Sequence, residues 1–169
     1  MKISKGVEWA AHTCALLAVL PAGWALSREA LADYLEVPPA YLAKQLQALS
    51  RAGIVAAQRG AAGGYRLARL PETLSLWDVT AAVEGSEPSF RCTEVRRNGP
   101  CGAAPAECSA PCAIAAAFYR AEAEYRKALS AVPLTALVAG VAEAATPDRK
   151  LRISEWIEQH ATRPASEAG

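Results

Sequence analysis

Four cysteines, Cys92, Cys101, Cys108 and Cys112, fall within 21 residues in the spacing Cys-x8-Cys-x6-Cys-x3-Cys. Thiolates are soft ligands and redox-active groups, so clustering at this density points to metal binding or thiol chemistry. Zinc ribbons and knuckles are built on a Cys-x2-Cys turn, which is absent here. The longer gaps, broken by Gly99, Pro100, Gly102, Pro105 and Pro111, suit a loop wrapped around a larger iron–sulfur cluster. Spacing by itself leaves three chemistries open: a cluster, zinc and thiol exchange. The chain reads as lacking an export signal, which makes disulfide stapling a poor explanation of the cysteines.

Two harder ligands stand near the start of the chain. Glu8 and His12 are four residues apart and on a helix would project from one face. They form either a surface hydrogen-bonded pair or half of a metal site. The fifth cysteine, Cys14, falls on an apolar stripe of the same segment and is expected to be a buried, inert thiol. His160 is expected to be solvated surface.

These groups need elements to hold them. Residues 3–20 read as a helix with one apolar stripe at Val7, Ala11, Cys14 and Ala18 and a second, almost opposite, at Trp9, Leu16 and Leu20; two stripes imply neighbours on both sides. Ser27 is placed to cap a second helix running to about Glu36 and burying Leu26, Ala30, Leu31 and Tyr34. After Val37-Pro38-Pro39, a third helix spans Pro39–Ala52 and ends at Gly53. Two short helices joined by a tight turn make a helix-turn-helix. Ile54–Ala57 and Tyr65–Ala68 flank Arg59 and the glycine-rich run Gly60–Gly64, which predicts a β-hairpin wing. A further helix spans Leu74–Val83, residues 90–112 read as loop, and a long helix runs from Cys112 to Ala131. Its apolar face, Ile114, Ala117, Phe118, Ala121, Tyr125 and Leu129, suits a dimer seam centred on Phe118 and Tyr125. Leu134–Ala145 and Leu151–His160 are predicted helices, and Thr162–Gly169 a disordered polar tail.

The predicted fold class is therefore mainly α: a winged helix-turn-helix with a β-hairpin wing plus a long C-terminal dimerisation helix. Its parts are a DNA-binding domain at 1–85, a cysteine-rich loop at 86–112, dimerisation helices at 113–145 and a C-terminal helix and tail at 146–169. Charge fits that division. The net charge of +1 hides eight Lys/Arg against four acids in the first 70 residues and ten against thirteen in the rest, so the basic half is the one suited to a polyanion. The third helix would enter the major groove of double-stranded DNA, with Pro39, Tyr41, Lys44 and Gln45 at or near its leading end. Gln45 suits an adenine edge, and Lys44 and Tyr41 suit phosphates or guanine. Ser27 and Arg28 would meet the backbone, Arg59 would enter the minor groove, and Arg66 lies on the second wing strand.

The segments Met1–Glu8, Tyr41–Leu46, Arg51–Val55 and Arg59–Leu67, with Ala81-Ala82-Val83-Glu84-Gly85 and the cysteine loop behind them, together resemble the IscR/NsrR/RsrR-type winged-helix regulators, the Rrf-two family. The resemblance covers about residues 1–145. It implies a homodimeric transcription regulator whose binding to palindromic promoter sites is controlled by an iron–sulfur cluster, with Cys92, Cys101 and Cys108 in the positions of the three usual ligands. Glu8-Trp9-x-x-His12 is similar to the RsrR type within that family. This second likeness implies a 2Fe-2S cluster in preference to 4Fe-4S, held by two cysteines of one subunit and a glutamate and a histidine from the other's first helix. Trp9 then becomes a candidate switch. The fourth loop cysteine, Cys112, is one more than either pattern uses. An alternative is a winged-helix regulator using zinc or free thiols; a cluster-binding electron carrier or enzyme is the less favoured class. Nothing in the sequence arranges a nucleophile with a base, and Gly60–Gly64 lacks the Lys-Ser/Thr of a phosphate loop. The longest apolar stretch, around Ala10–Leu20, is too short to span a membrane, so a cytoplasmic protein is expected.

Overall fold

A broad apolar face drives the first helix, α1 (Lys5–Ala18). In the computed structural model, which describes residues 3–58, 60 and 63–164, Gly6, Val7, Ala10, Thr13, Cys14 and Leu17 are buried along it. These positions follow the three- and four-residue spacing of one wide stripe. The two opposed stripes expected from sequence are joined into one wide face: Leu16 of the second stripe is buried too, Ala10, Thr13 and Leu17 fill the gap between it and Val7 and Cys14, and Ala11 and Ala18 are only half-buried. Thr13 is accommodated because its hydroxyl donates to the Trp9 carbonyl at 2.8 Å. Gly6 gives α1 its closest approach to the third helix, since a Cβ there would lie 2.9 Å from Gln45 Nε2.

Strand β1 (Ala25–Leu26) leads into α2 (Arg28–Tyr34), and α3 (Pro39–Arg51) follows after a four-residue turn. Ser27 caps α2, its Oγ accepting from the Ala30 amide at 3.0 Å, as its sequence position predicts. Leu42, Leu46 and Leu49 on α3 are fully buried, so three leucines at helical spacing fasten it to the core. Strands β2 (Val55–Gln58) and β3 (Gly64–Leu67) form the wing. The sheet is larger than the predicted hairpin, with strand order β2-β3-β1-β4, where β4 is Ala161–Thr162. At Gly64 the φ angle is +154°, and a Cβ would lie 2.8 Å from the Leu26 backbone. A side chain there would push β3 off β1.

Helix α4 (Leu76–Glu84) starts with a reciprocal cap between Ser75 and Asp78. Helix α5 (Ala113–Ser130) packs on α4, α6 (Leu134–Ala144) returns to α1, and α7 (Pro147–His160) closes the fold. The amides of Leu134 and Leu76 donate to the carbonyls of Leu74 and Val132, at 2.8 and 2.9 Å, stitching the start of α6 to the start of α4. Leu134 and Ile157 join the same core as α1, α2 and α3. Helices α6 and α7 therefore complete the N-terminal core instead of forming an extension of their own. The seventh helix is also longer than predicted, because Thr146 caps it at Pro147. The predicted disordered tail is corrected for its first residue: Thr162, together with Ala161, forms β4, paired with β1. The architecture is mainly helical with a small antiparallel sheet. Among the described residues, no helix is long and apolar enough to cross a membrane.

Candidate nucleic-acid interface and cysteine loop

The face of α3 opposite its buried leucines is open. Tyr41 is 56% exposed, Lys44 is exposed and lies 5.8 Å from the Tyr41 ring centre, and Pro39 is exposed at the first helical position. Gln45 is half-buried, and its amide lies beside Gly6 of α1. Arg28, also exposed, is already paired with Glu29 at 2.6 Å, and that guanidinium holds the Glu29 carboxyl below its usual range. Arg66 is exposed on β3. Arg59 lies outside the described residues. Exposed polar or basic groups thus lie at the start of α2, on the leading half of α3 and on the second wing strand.

Trp9 touches both this face and a second feature. Its ring meets Tyr41 edge-on, 6.4 Å between centres. It also lines a groove of about 560 Å³ with Glu8, His12, Leu16, Tyr34, Val138, Arg149 and Ile153 among its walls. Glu8 and His12 are exposed and sit on the flank of α1 that forms one side of this groove.

The cysteine loop is built around Arg96. Its guanidinium binds Glu94 twice, with Nη2 at 2.8 Å from Oε2, and reaches the Ala110 carbonyl at 2.8 Å. The Ala103 amide donates to the Arg96 carbonyl at 2.8 Å. Glu94 first, then the nearby sulfurs of Cys108 and Cys112, hold Arg96 above the usual arginine range; Arg96 in turn keeps Glu94 below its own. A second pair anchors the base of the loop. Glu122 of α5 is buried, accepts from the Ser89 amide and pairs with Arg126 at 2.6 Å, which holds its carboxyl below the usual range. Arg126 also donates to the Ser86 carbonyl and lies 5.0 Å from the Trp77 ring centre. Neither pair was singled out from sequence. The four-residue spacing of Glu122 and Arg126 was a readable signal, but their grip on residues 86–89 was not.

The thiols differ. Cys92 and Cys112 are half-buried, and each sulfur accepts a backbone N–H at 3.4 Å, from Glu94 and Ala115. Cys108 is half-buried near Arg96, and Cys101 is exposed. Within one chain, no three His, Cys, Asp or Glu side chains among the described residues form a metal-holding group. Cys14 is buried as expected, its thiol pushed up to about 12 by burial. On α5, Ile114 is 70% and Phe118 52% exposed, although Phe118 stacks on Phe90 at 4.6 Å. Tyr125, assigned to the same seam from sequence, turns inward, edge-on to Trp77 at 6.2 Å.

A family model described as an iron-dependent transcriptional regulator, Rrf2, matches residues 3–140. The chain belongs to the Rrf2 family. Curated relatives carry regulator names: it is 38% identical to the HTH-type transcriptional regulator YwgB of Bacillus subtilis over 50% of this chain and 54% of that one. It is 37% identical to BadM of Rhodopseudomonas palustris over 42% and 48%. The matched stretch thus spans about half the length of these relatives. Among solved structures, the fold is similar to IscR of T. potens (TM-score 0.63, 20% identity, 90% of this chain and 96% of that one). It is similar also to the oxidized form of Staphylococcus aureus CymR (TM-score 0.60, 24% identity, 82% and 96%). At these identities the structures establish a shared Rrf2 fold.

Proposed function

We propose that this Rrf2 protein is a homodimeric transcription regulator that reads a palindromic site in double-stranded DNA and responds to an iron–sulfur cluster. The observation that carries the DNA reading is the anchoring of α3 by Leu42, Leu46 and Leu49, which leaves Tyr41 and Lys44 free beside the capped start of α2 and the wing. Such a helix fits a major groove. Lys44, with no acidic partner among the described residues, suits a phosphate. Lys44→Ala is expected to weaken binding to all duplexes alike and to lower the slope of log K against log salt by about one. Fluorescence anisotropy across a salt series checks this; an unchanged slope removes Lys44 from the interface.

The donor set fits the cofactor. Cys92 and Cys112 offer soft sulfurs that already accept amide hydrogen bonds, a contact known to tune cluster potentials. We assign these two as the cysteine ligands, completed by Glu8 and His12 of the partner subunit. When bound, the cluster supplies one-electron redox chemistry at a potential raised by its non-thiolate ligands. Coordination requires the neutral imidazole of His12, so ligation would go with proton release and loss of the ligand bond with proton uptake. Trp9 shares a helix with both groups and abuts Tyr41, which gives any shift of α1 a direct contact with the DNA-facing surface. A protein of this kind works in the cytoplasm.

A further inference from the structure

The last described residues close the wing sheet. Helix α7 runs straight into β4, whose Ala161 and Thr162 pair with Leu26 and Ala25 of β1. The Thr162 hydroxyl lies 3.1 Å from the carbonyls of both Ala25 and Gly63. Gly63 ends the wing turn, and Ala25 belongs to the strand that feeds α2. One side chain from the C-terminal end thus bridges the two parts of the predicted DNA surface. Beyond it, the Arg163 guanidinium lies 4.7 Å from the Trp24 ring centre, and the Pro164 ring closes over Gly23, where a Cβ would stand 3.1 Å from Pro164 Cγ.

The helix behind this strand is firmly held. Ile157 is buried in the core. Trp156 packs on Tyr34 at the end of α2, 4.8 Å between centres, and stacks on His160 at 4.4 Å. A wing of two four-residue strands has little independent stability, and β1, only two residues long, would be an open edge without β4. The groove that carries Glu8 and His12 is lined by Arg149, Ile153 and Ser154 of the same α7, so one continuous segment touches both candidate sites.

We propose that residues 147–164 form a strap that positions the wing, that Thr162 is its positioning residue, and that the grip of the wing on DNA depends on it. The last clause rests on the DNA-binding reading; the first two do not. The experiment is hydrogen exchange on the DNA-free full chain, run for wild type, Thr162→Val and Thr162→Ser, with a chain ending at His160 as the larger lesion. Valine keeps the shape of threonine and removes the hydroxyl. Amides of residues 64–67 are expected to exchange several-fold faster in Thr162→Val while those of residues 42–49 keep wild-type protection, and serine restores the wing. Affinity for a bound duplex is expected to fall by about three- to tenfold in Thr162→Val, the worth of one hydrogen bond. Unchanged wing exchange in both Thr162→Val and the shortened chain overturns the strap. Faster wing exchange with full DNA affinity overturns its link to DNA. Faster exchange in a protein whose wild type binds no duplex leaves the strap standing and removes the DNA reading.

Discussion

Anaerobically purified Cys92→Ser and Cys112→Ser proteins are expected to lose the visible absorption of an iron–sulfur cluster, whereas Cys14→Ala, Cys101→Ser and Cys108→Ser keep it. Cys14 is out of reach because it is buried in the core with its thiol pushed up to about 12. Cys101 is exposed, and its sulfur takes part in no hydrogen bond among the described residues. Cys92 and Cys112 are the two sulfurs that accept backbone amides. Glu8→Ala and His12→Ala carry the second half of this expectation. Each removes a harder ligand, so any cluster that survives should show a changed spectrum and a lower reduction potential, as thiolate replaces nitrogen or oxygen. If both variants keep the wild-type spectrum and potential, cysteines alone hold the cluster and α1 contributes nothing to it.

Phe118→Asp is expected to convert the proposed dimer to monomers. Helix α5 leaves Ile114, Ala117, Phe118 and Ala121 exposed along one side, a face that the described residues cover only in part, through the stacking of Phe90 on Phe118. In a twofold seam the new carboxylate appears twice, and each uncompensated buried charge costs about 3–5 kcal/mol. That is enough to weaken association by several orders of magnitude. Tyr125→Asp should behave differently, because Tyr125 packs on Trp77 within its own chain; it should lower the melting temperature of the protomer and leave its association largely intact. Light scattering at micromolar concentration, with thermal unfolding alongside, separates the two. A dimeric Phe118→Asp protein places the seam elsewhere.

The contrast between Phe118 and Tyr125 shows where sequence reading runs out. Both lie on one helical stripe, and periodicity reports that a face is apolar without saying what covers it. The same limit appears in α1, where Ala10, Thr13 and Leu17 form the centre of the buried face while Trp9 and Leu16 were read as a separate stripe. Features set by local chemistry were legible: the Ser27 cap, the proline start of α3, and the glycines bounding the wing. Gln45 reads as a base contact from its position on α3, and only the close approach at Gly6 shows that its amide lies against α1. Strand β4 was hidden for another reason. Two residues carry no period, and Thr162 finds its partners 137 and 99 positions away. The cysteines were legible as a ligand pool, but which sulfurs accept amide protons depends on the left-handed turn at Glu94 and on Cys112 standing at the N-cap of α5, which spacing does not encode.

The central claim is that two copies of α3 read a symmetric DNA site. Selection from a randomised duplex pool, with anaerobically purified protein, tests it most directly. The predicted result is enrichment of an inverted repeat whose half-sites lie about one helical turn apart, lost with Phe118→Asp. Recovery of no sequence above the starting pool, or of a single unpaired half-site bound equally well by Phe118→Asp, would contradict it.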